Sequence, residues 1–367
     1  MHYNEIKAVL PHFAFEGEYN NSEEIPSGNV NKTYHLYYQT EQGTINQYVL
    51  QCINQFVFTE PSVVMHNISM VTQHVKKNLE SIGEDAQRGV MSIIPTNKGE
   101  TYYVDKRGES WRATYFIEGA TAPDTVNTTE EMFEIGSGFG RFQRYLADFP
   151  AEELKITIPN FHNTSKRFYA FVNSIDQDVA GRVKKVEEEI EFFFERRKMM
   201  SEIVKLLDAG VIPLRVTHND TKCNNVMLDN VSHKAVCVLD LDTVMPGSAL
   251  YDYGDAVRFG ASTAAEDEPD ISKISLDMEM ARAYTEGFVK ETKGYLTKEE
   301  LLRLPLGIKV ITCELAMRFL KDYLDGDVYF KINSPKHNLI RARAQIALLK
   351  DIESKEDQLN ELVHSLM

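Results

Sequence analysis

Residues 218–225 read HNDTKCNN, and after a short apolar stretch residues 239–242 read LDLD. A hydroxyl group is a poor nucleophile, and the carboxylate of Asp220 could orient one and accept its proton. The amide oxygen of Asn225 and the carboxylate of Asp240 are hard oxygen ligands of the kind that Mg²⁺ requires. The pattern therefore predicts transfer of a phosphoryl group from ATP, accompanied by Mg²⁺, to a hydroxyl, with Asp220 as the catalytic carboxylate.

Lys222 and His218 are the other side chains of this loop with a chemical role to assign. Lys222 lies two residues after Asp220 and can face the same pocket, where its cation would offset charge on the transferred group. We expect His218 to anchor the loop through hydrogen bonds rather than to act as a base. Aspartate and asparagine are also common in ordinary turns, so the pattern His-x-Asp is weak when it stands alone. The added lysine and the aspartate at the end of an apolar strand favour the catalytic interpretation.

A second polar segment, PSGNVNKTY at residues 26–34, leads into a predicted strand. Gly28 would let the backbone approach phosphate groups, and Asn29 and Asn31 tolerate turn conformations and can donate hydrogen bonds. An ordinary turn is the alternative, but the position before a hairpin favours nucleotide binding. After the glycine-rich residues 136–140, Arg141 stands where a dinucleotide-binding motif has its third glycine. The sequence also contains no P-loop motif. We expect those glycines to allow close helix packing instead.

The elements that must position these segments follow from residue spacing. Residues 33–40 and 46–54 are rich in β-branched and aromatic residues on either side of a turn, which predicts a β-hairpin. A proline followed by helical spacing of apolar residues predicts a helix over 61–82. Residues 1–20 are typical of a short helix and its exit. The other predicted strands are 90–95, 101–105, 111–117, 211–217 and 235–241, and the other predicted helices are 129–148, 180–209 and 340–367.

The length and composition suit two lobes of a soluble protein. The chain has 367 residues, of which 43% are hydrophobic and 26% charged. Its formal net charge of −15 disfavours binding to nucleic acid or to anionic membranes. The four cysteines form no Cys-x-x-Cys pair, which indicates reduced thiols rather than a zinc site or disulfides. Neither a signal peptide nor an apolar run of about 20 residues is present, so we expect a cytoplasmic protein.

Several longer motifs carry a resemblance to a known family. They include SGNVNKTY (27–34), WRATYFIE (111–118), IPLRVTHNDTKCNN (212–225), LDLDTVMPGSALYDYGDAVRFGAST (239–263) and MRFLKDYLDGDVYF (317–330). In these stretches the chain resembles the aminoglycoside phosphotransferase and choline kinase superfamily, relatives of protein kinases, and within it the N-acetylhexosamine 1-kinases. The resemblance implies an α+β, two-lobed, protein-kinase-like fold, with a small antiparallel-sheet N-lobe at 1–117 and a larger, mainly helical C-lobe at 118–367.

The activity implied by this resemblance is ATP-dependent phosphorylation of the anomeric hydroxyl of N-acetylglucosamine or N-acetylgalactosamine. The products would be the sugar 1-phosphate and ADP. Asp220 would act on the anomeric hydroxyl, and Asn225 and Asp240 match the magnesium positions. The nucleotide-binding set comprises Gly28, Asn29, Asn31 and Thr33 of the polar segment, and Tyr115, Phe116, Ile117 and Glu118 of a hinge whose backbone binds adenine.

Three residues match positions expected around the sugar, namely Phe259, Arg318 and Tyr329. An aromatic face suits the apolar side of a sugar ring, and arginine can donate several hydrogen bonds to hydroxyls or to an acetamide oxygen. A phenylalanine of the core and an arginine of the helix surface are the alternatives for Phe259 and Arg318.

One departure from the wider kinase pattern concerns the phosphate clamp. Kinases of this fold usually carry a lysine on the third strand, paired with a helix glutamate, whereas Gln51 stands at the matching position here. The following helix has Asn67, Ser69 and Gln73 where a glutamate would be expected. The hexosamine kinases are similar in lacking this lysine. Lys32, Lys222 or a metal ion are the candidates to compensate.

Two alternatives remain open on the sequence. The same catalytic residues serve relatives that phosphorylate homoserine, choline, a thio-sugar or an aminoglycoside, so the acceptor pocket must discriminate. A cationic acceptor would want carboxylates or an aromatic cage, and Arg318 would oppose it. A nucleotide-binding pseudokinase is supported by the missing lysine and opposed by the intact Asp220, Asn225 and Asp240. The sequence predicts neither protein partners nor a preference between the two sugars.

Overall fold

The computed structural model describes residues 6–25 and 30–367, where an antiparallel sheet is followed by a mainly helical region. The sheet has the strand order β1-β2-β3-β6-β4, and β5 pairs with β6. Its strands are β1 (Glu18–Ile25), β2 (Lys32–Gln39), β3 (Ile45–Cys52), β4 (Ile93–Ile94), β5 (Tyr103–Val104) and β6 (Ser110–Tyr115). The predicted fold class and the predicted hairpin are confirmed.

The two faces of this sheet differ in chemistry because side chains alternate along each strand. Tyr34 and Leu36 of β2 are buried with Trp111 of β6 in a core that belongs to the sheet itself. The opposite face carries polar residues that lie in register across three strands. Thr33 of β2 pairs with Gln51 of β3, and Gln51 pairs with Arg112 of β6. The sheet therefore presents a polar row, Thr33-Gln51-Arg112, on its second face.

Helix α1 (Pro61–Ile82) is followed by the short helix α2 (Ala86–Gly89), and α1 packs on the helical region. It begins at a proline and ends at Gly83, whose φ of 73° is left-handed. Its apolar residues Val71 and Val75 are buried in the same core as the later helices. The Asn67 carboxamide Nδ2 donates to the carbonyls of Lys155 (2.7 Å) and Val244 (2.8 Å). These bonds attach α1 to the helical region.

The helical region contains two helices in unusually close contact, α3 and α8. A Cβ atom added at Gly136 of α3 would lie 2.3 Å from the Tyr284 carbonyl oxygen, and one added at Gly287 would lie 2.1 Å from that of Phe133. Close helix packing is therefore the reason for Gly136 and for Gly140, where an added Cβ would lie 2.9 Å from the Phe288 carbonyl oxygen, whereas Gly138 packs against the side chains of Val226 and Ala235 in two short strands. The helices are α3 (Thr129–Tyr145), α4 (Thr164–Gln177), α5 (Glu187–Met200), α6 (Glu202–Asp208), α7 (Ala249–Gly260), α8 (Met278–Thr292), α9 (Lys298–Leu301), α10 (Leu304–Leu324), α11 (His337–Ser354) and α12 (Glu356–Leu366).

Five short strands surround the segment 218–225. One sheet has the order β10-β9-β7, and β8 pairs with β11 in the other. The predicted strands at 211–217 and 235–241 are found as β8 and β10, but they lie in different sheets, and β9 between them was not predicted. The strands are β7 (Ala120–Thr121), β8 (Arg215–Thr217), β9 (Val226–Asp229), β10 (Ala235–Val238) and β11 (Met245–Gly247).

Two predicted helices were wrong in extent. The helix predicted over 180–209 begins only at Glu187, because Gly181 is left-handed and a 3-10 turn follows it, and it is broken again at Ser201. The helix predicted over 340–367 is interrupted at Lys355. The short helix and exit predicted for 1–20 stay a prediction, because residues 1–5 lie outside the described residues; in the described part a 3-10 turn at 10–12 precedes β1, which begins at Glu18.

The lobe boundary between residues 117 and 118 stays a prediction. Among the described residues, no helix combines the length and apolarity that crossing a membrane would take. The four cysteines are buried free thiols.

Candidate active site

The segment 218–225, which we name the catalytic loop, is held by a buried aspartate on α7. Asp252 accepts hydrogen bonds from the backbone N–H groups of His218 and Asn219, both at 2.8 Å. The Gln143 side chain of α3 donates to the same carboxylate at 2.9 Å. Burial raises the pKa of Asp252, and these three donors satisfy the buried carboxyl group. The loop backbone is therefore fixed from the helical side.

His218 anchors the same loop, as predicted. Its Nε2 atom donates to the Leu239 carbonyl at 2.7 Å, and its Nδ1 atom accepts from the Asp220 N–H at 3.3 Å. Thr243 Oγ1 donates to the His218 carbonyl at 2.6 Å. Because one ring nitrogen must donate and the other must accept, the imidazole is the neutral tautomer protonated on Nε2. Both nitrogens are occupied, and the ring is fully buried.

Asp220, Lys222 and Asn225 come together within the loop. Lys222 Nζ lies 3.0 Å from Asp220 Oδ1. Asp220 raises the pKa of Lys222, against desolvation, so the amine stays a cation beside the carboxylate. Asn225 Nδ2 donates to the Asp220 carbonyl at 2.8 Å. Because the amide nitrogen is committed to that bond, the amide oxygen of Asn225 is oriented as the free acceptor.

Asp240 follows β10 and completes the predicted set. Its φ of 56° is left-handed, which is uncommon outside glycine and concentrates at functional sites. The side chain is open to solvent. Desolvation by the surrounding protein and the nearby carboxylates of Asp242 and Asp220 nevertheless raise its pKa to about 6. The carboxylates of Asp220, Asp240 and Asp242 therefore concentrate negative charge at this position.

This donor set fits Mg²⁺. The ion is usually held by one or two protein oxygens, with phosphate and water oxygens completing its shell. Asn225 and Asp240 supply an amide oxygen and a carboxylate, in a pocket where a cation would relieve the repulsion among carboxylates. Across residues 6–25 and 30–367, no group of three or more His, Cys, Asp or Glu side chains is arranged to hold a metal. Phosphate and water oxygens would complete the shell of an ion held by Asn225 and Asp240.

Of the predicted nucleotide loop, Gly28 and Asn29 lie outside the described residues. Asn31 Nδ2 donates to Asp242 Oδ2 at 2.5 Å. Thr33 Oγ1 accepts from Gln51 Nε2 at 3.2 Å. The two described residues therefore lie on the polar row and beside the segment that carries Asp240.

The predicted hinge, 115–118, connects β6 to β7. The Phe116 N–H donates to the Gln47 carbonyl at 3.1 Å, and the Glu118 carboxylate accepts from Gln47 Nε2 at 2.9 Å. The Phe116 ring stacks on His35 with centroids 4.1 Å apart. Tyr115 is exposed and Ile117 is buried. Backbone and side-chain contacts with the sheet thus fix this segment.

Arg318 and Tyr329 are brought together, and Phe259 is not placed with them. The Arg318 guanidinium lies 5.6 Å from the Phe161 ring, 5.9 Å from Tyr329 and 5.5 Å from Phe330. We name these four residues the acceptor cluster. Phe259 is half-buried and lines a cavity of about 370 Å³ together with Cys223 of the catalytic loop and with Arg258. Among the described residues, Phe259 makes no ring or cation–π contact with Arg318 or Tyr329.

A buried carboxylate and a second arginine adjoin the acceptor cluster. Glu314 pairs with His162 at 3.2 Å and with Arg167 at 3.3 Å. Burial and the neighbouring Arg318 guanidinium lower the pKa of Arg167 to about 10. Even so, Arg167 is charged at neutral pH. Arg167 and Arg318 therefore both interact electrostatically with the Glu314 carboxylate.

Four residues with roles in positioning the site were not predicted. Asp252 is a carboxylate among the apolar and aromatic residues of the first turns of its helix, and that contrast could have revealed it. Arg112 is a charged residue in a strand of aromatic and small residues, directly across from Gln51. Asp242 bonds both Asn31 and Arg112. His35 could not have been found from the sequence, because only the tertiary fold stacks it on the hinge.

A profile of the phosphotransferase enzyme family, APH, matches residues 86–285. An aminoglycoside phosphotransferase from Alicyclobacillus acidocaldarius has a TM-score of 0.61 and 11% identity, over 98% of this chain and 96% of that one. An amicoumacin kinase solved with AMP-PNP and Ca²⁺ has a TM-score of 0.58 and 12% identity, over 97% and 94%. A choline/ethanolamine kinase family protein from Mesorhizobium loti has a TM-score of 0.57 and 14% identity, over the full length of both chains. The chain thus belongs to the phosphotransferase enzyme family and is a small-molecule phosphotransferase with a protein-kinase-like fold.

Proposed function

We propose that this protein transfers the γ-phosphoryl group of ATP to the anomeric hydroxyl of an N-acetylhexosamine, giving the sugar 1-phosphate and ADP. The observation that carries the reaction type is the catalytic loop, in which Asp220 lies 3.0 Å from the Lys222 ammonium and within electrostatic range of Asp240. Residues 1–117 and 118–367 would be the two lobes, with ATP between them. The amicoumacin kinase that shares this fold binds AMP-PNP and Ca²⁺, which supports a nucleotide and a divalent cation.

The reaction assigns one role to each side chain. Asp220 accepts the proton of the anomeric hydroxyl, whose oxygen attacks the γ-phosphorus while the bond from that phosphorus to the β,γ-bridging oxygen breaks. Lys222 keeps a positive charge beside the reacting oxygens. Mg²⁺, bound through Asn225 and Asp240, would neutralise negative charge on the triphosphate. Asp252 and His218 keep the loop backbone in place during the transfer.

The acceptor cluster favours a neutral sugar. Choline/ethanolamine and aminoglycoside kinases share the fold equally well, so the fold leaves the acceptor open. The rings of Phe161 and Tyr329 suit the apolar face of a sugar, and the Arg318 guanidinium suits an acetamide oxygen. A cationic acceptor placed at the acceptor cluster would be repelled by the positive charges of Arg318 and Arg167.

The test is phosphorus NMR of the protein with Mg·ATP and N-acetylglucosamine or N-acetylgalactosamine. We expect the wild type to produce a new anomeric phosphate signal. The rate at which this signal grows should be about 10²- to 10⁴-fold lower for Asp220→Asn. Asp148→Asn changes an exposed aspartate that pairs with His74 and serves as the matched control with unchanged rate. Arg318→Ala should raise the KM for the sugar by about 10-fold or more, with little change in the KM for ATP.

Competition assays with choline, homoserine, a thio-sugar and an aminoglycoside decide among the acceptors. Faster phosphorylation of any of these than of both hexosamines would refute the proposed acceptor and leave the kinase reaction standing. Nucleotide binding without turnover on any acceptor would instead support a regulatory pseudokinase.

A further inference from the structure

The polar row of the sheet ends at a buried arginine that pairs with a carboxylate two residues after Asp240. Arg112 is 1% exposed. Its Nε atom donates to Gln51 Oε1 at 2.9 Å, and its Nη1 atom forms an ion pair with Asp242. Gln51 in turn donates to Thr33. The row therefore connects the loop before β2 to the residue two positions after Asp240.

Arg112 lies within electrostatic reach of the proposed magnesium ligand. The carboxylate that pairs with Arg112, Asp242, stands two residues after Asp240 in the chain. An arginine buried in this way is costly unless its charge is used and its donors are satisfied. Hydrogen bonds to other described residues occupy Nε and Nη1, and no such bond engages Nη2. A planar guanidinium with a remaining donor suits the oxygens of a phosphate group.

The two lysines that the sequence offers in place of the strand lysine, Lys32 and Lys222, fit the phosphate-binding position less well than Arg112. Lys32 is in register with Cys52 and precedes Thr33, so its side chain leaves the opposite face of the strand from the polar row. Lys222 is committed to Asp220 at 3.0 Å. The helix that would supply a glutamate instead uses Asn67 to hold Lys155 and Val244.

We propose that Arg112 is the residue that binds the α- and β-phosphates of the nucleotide in place of the strand lysine, with Asp242 as the counter-ion that positions its guanidinium. This inference rests on the proposed use of ATP and is independent of the acceptor. The cation of this clamp, Arg112, lies on β6 rather than on β3. Its counter-ion, Asp242, follows Asp240 in the chain rather than lying on α1. Asn31 bonds the same carboxylate, so the loop before β2 is attached to the clamp.

The test measures nucleotide affinity by calorimetry in the absence of any acceptor, with Mg·ADP and with adenosine as the two probes. We expect Arg112→Met to weaken ADP binding by about 10- to 100-fold, the range for losing a charge-assisted hydrogen bond, and to change adenosine binding by less than about 2-fold. Arg112→Lys keeps the charge without the planar fork and should fall between the wild type and Arg112→Met. Asp242→Asn leaves the guanidinium in place but less well oriented, and should weaken ADP binding by only a few fold.

A matched control removes another arginine that forms an ion pair. Arg144 of α3 pairs with Glu291 of α8 at 2.7 Å, and Arg144→Met should lower thermal stability without changing either affinity. If Arg112→Met does not fold, Arg112→Lys carries the comparison. Equal loss of ADP and adenosine binding would mean that the Arg112–Asp242 pair only supports the sheet, and unchanged ADP binding would remove Arg112 from the clamp. Wild-type protein that binds neither probe would overturn this inference together with the proposed function, whereas ADP binding without sugar phosphorylation overturns only the acceptor.

Discussion

The catalytic loop and the acceptor cluster are each held by a buried aspartate. They differ in that the residues of the loop are consecutive, whereas those of the cluster lie far apart in the sequence. Asp252 accepts two backbone N–H groups of the catalytic loop. Asp322 of α10 similarly accepts the N–H groups of Val328, Tyr329 and Phe330, at 3.0, 2.8 and 2.9 Å. The reacting groups of the catalytic loop lie within eight consecutive residues. The acceptor cluster instead combines residues from 161 to 330.

On the proposed function, this difference would separate an end of the site that fixes the chemistry from an end that fixes the acceptor. The catalytic loop is buried between helices and short strands. Asp252 and Thr243 hold its backbone, and the His218 side chain holds it to the Leu239 carbonyl. In the acceptor cluster, Tyr329 is 53% exposed, and its contacts with Arg318 are electrostatic and lack hydrogen bonds. A surface segment held at its backbone by one aspartate can change its side chains without disturbing the reaction centre.

The largest expected effect comes from Asp252→Ala. The substitution leaves two buried N–H groups and the Gln143 amide without their acceptor, which should cost about 2 to 4 kcal/mol of unfolding free energy. The catalytic loop also loses its fixed geometry, so kcat should fall by about 100-fold or more. Urea unfolding and steady-state kinetics measure the two effects. A variant that is destabilised but keeps its kcat would show that Asp252 supports the fold alone.

Asp322→Ala is the matching change at the acceptor end. It frees the backbone of 328–330, and it should raise the KM for the acceptor by about 10-fold while kcat and the KM for ATP stay within about 3-fold. Steady-state kinetics with each substrate varied in turn provide the check. A fall in kcat equal to that of Asp252→Ala would mean that both aspartates serve one unit, and the contrast between the two ends would be lost.

The sequence anticipated the catalytic loop better than the acceptor cluster, for a physical reason. HNDTKCNN predicts its own geometry because Asp220, Lys222 and Asn225 lie on one tight loop, and the structure brings them together. The hairpin was found because its strands are rich in β-branched and aromatic residues on either side of a turn. The pair Arg112–Asp242 joins residues 130 positions apart, so no local pattern indicates it. The helix breaks at Ser201 and Lys355 contain neither glycine nor proline, and tertiary packing therefore decides where they occur.

A smaller effect should appear in the pH dependence of Asp240. Its pKa of about 6 in the folded protein exceeds the usual 3.8, so the native state binds the proton more tightly than the unfolded chain does. Its contribution to stability therefore grows as pH falls from about 7 toward 4, and the charged form opposes folding above pH 6. Without metal, Asp240→Asn should raise Tm at pH 7.5 and raise it less at pH 5. Scanning calorimetry at both pH values measures this, and an equal Tm change at the two values would contradict it.

Mg²⁺ should move the same titration. A divalent cation favours the ionised carboxylate, so the activity lost below pH 6 at limiting Mg²⁺ should be recovered when Mg²⁺ is raised. Loss of activity that excess Mg²⁺ cannot recover would point to another group.

The last comparison is a difference in thiol protection between the two ends. Cys223 lies in the catalytic loop and Cys313 lies on α10, which carries Arg318 and Asp322. Burial raises the pKa of Cys223 to about 12 and raises that of Cys313 as well, so at pH 8 neither thiol should react with a disulfide reagent until its surroundings open. Mg·ADP bound at the catalytic end should suppress that opening only for Cys223, by up to about 100-fold at 100 times its Kd. Peptide mapping of labelled protein measures the two rates separately. Equal slowing of both thiols would mean that the two ends open as one cooperative unit.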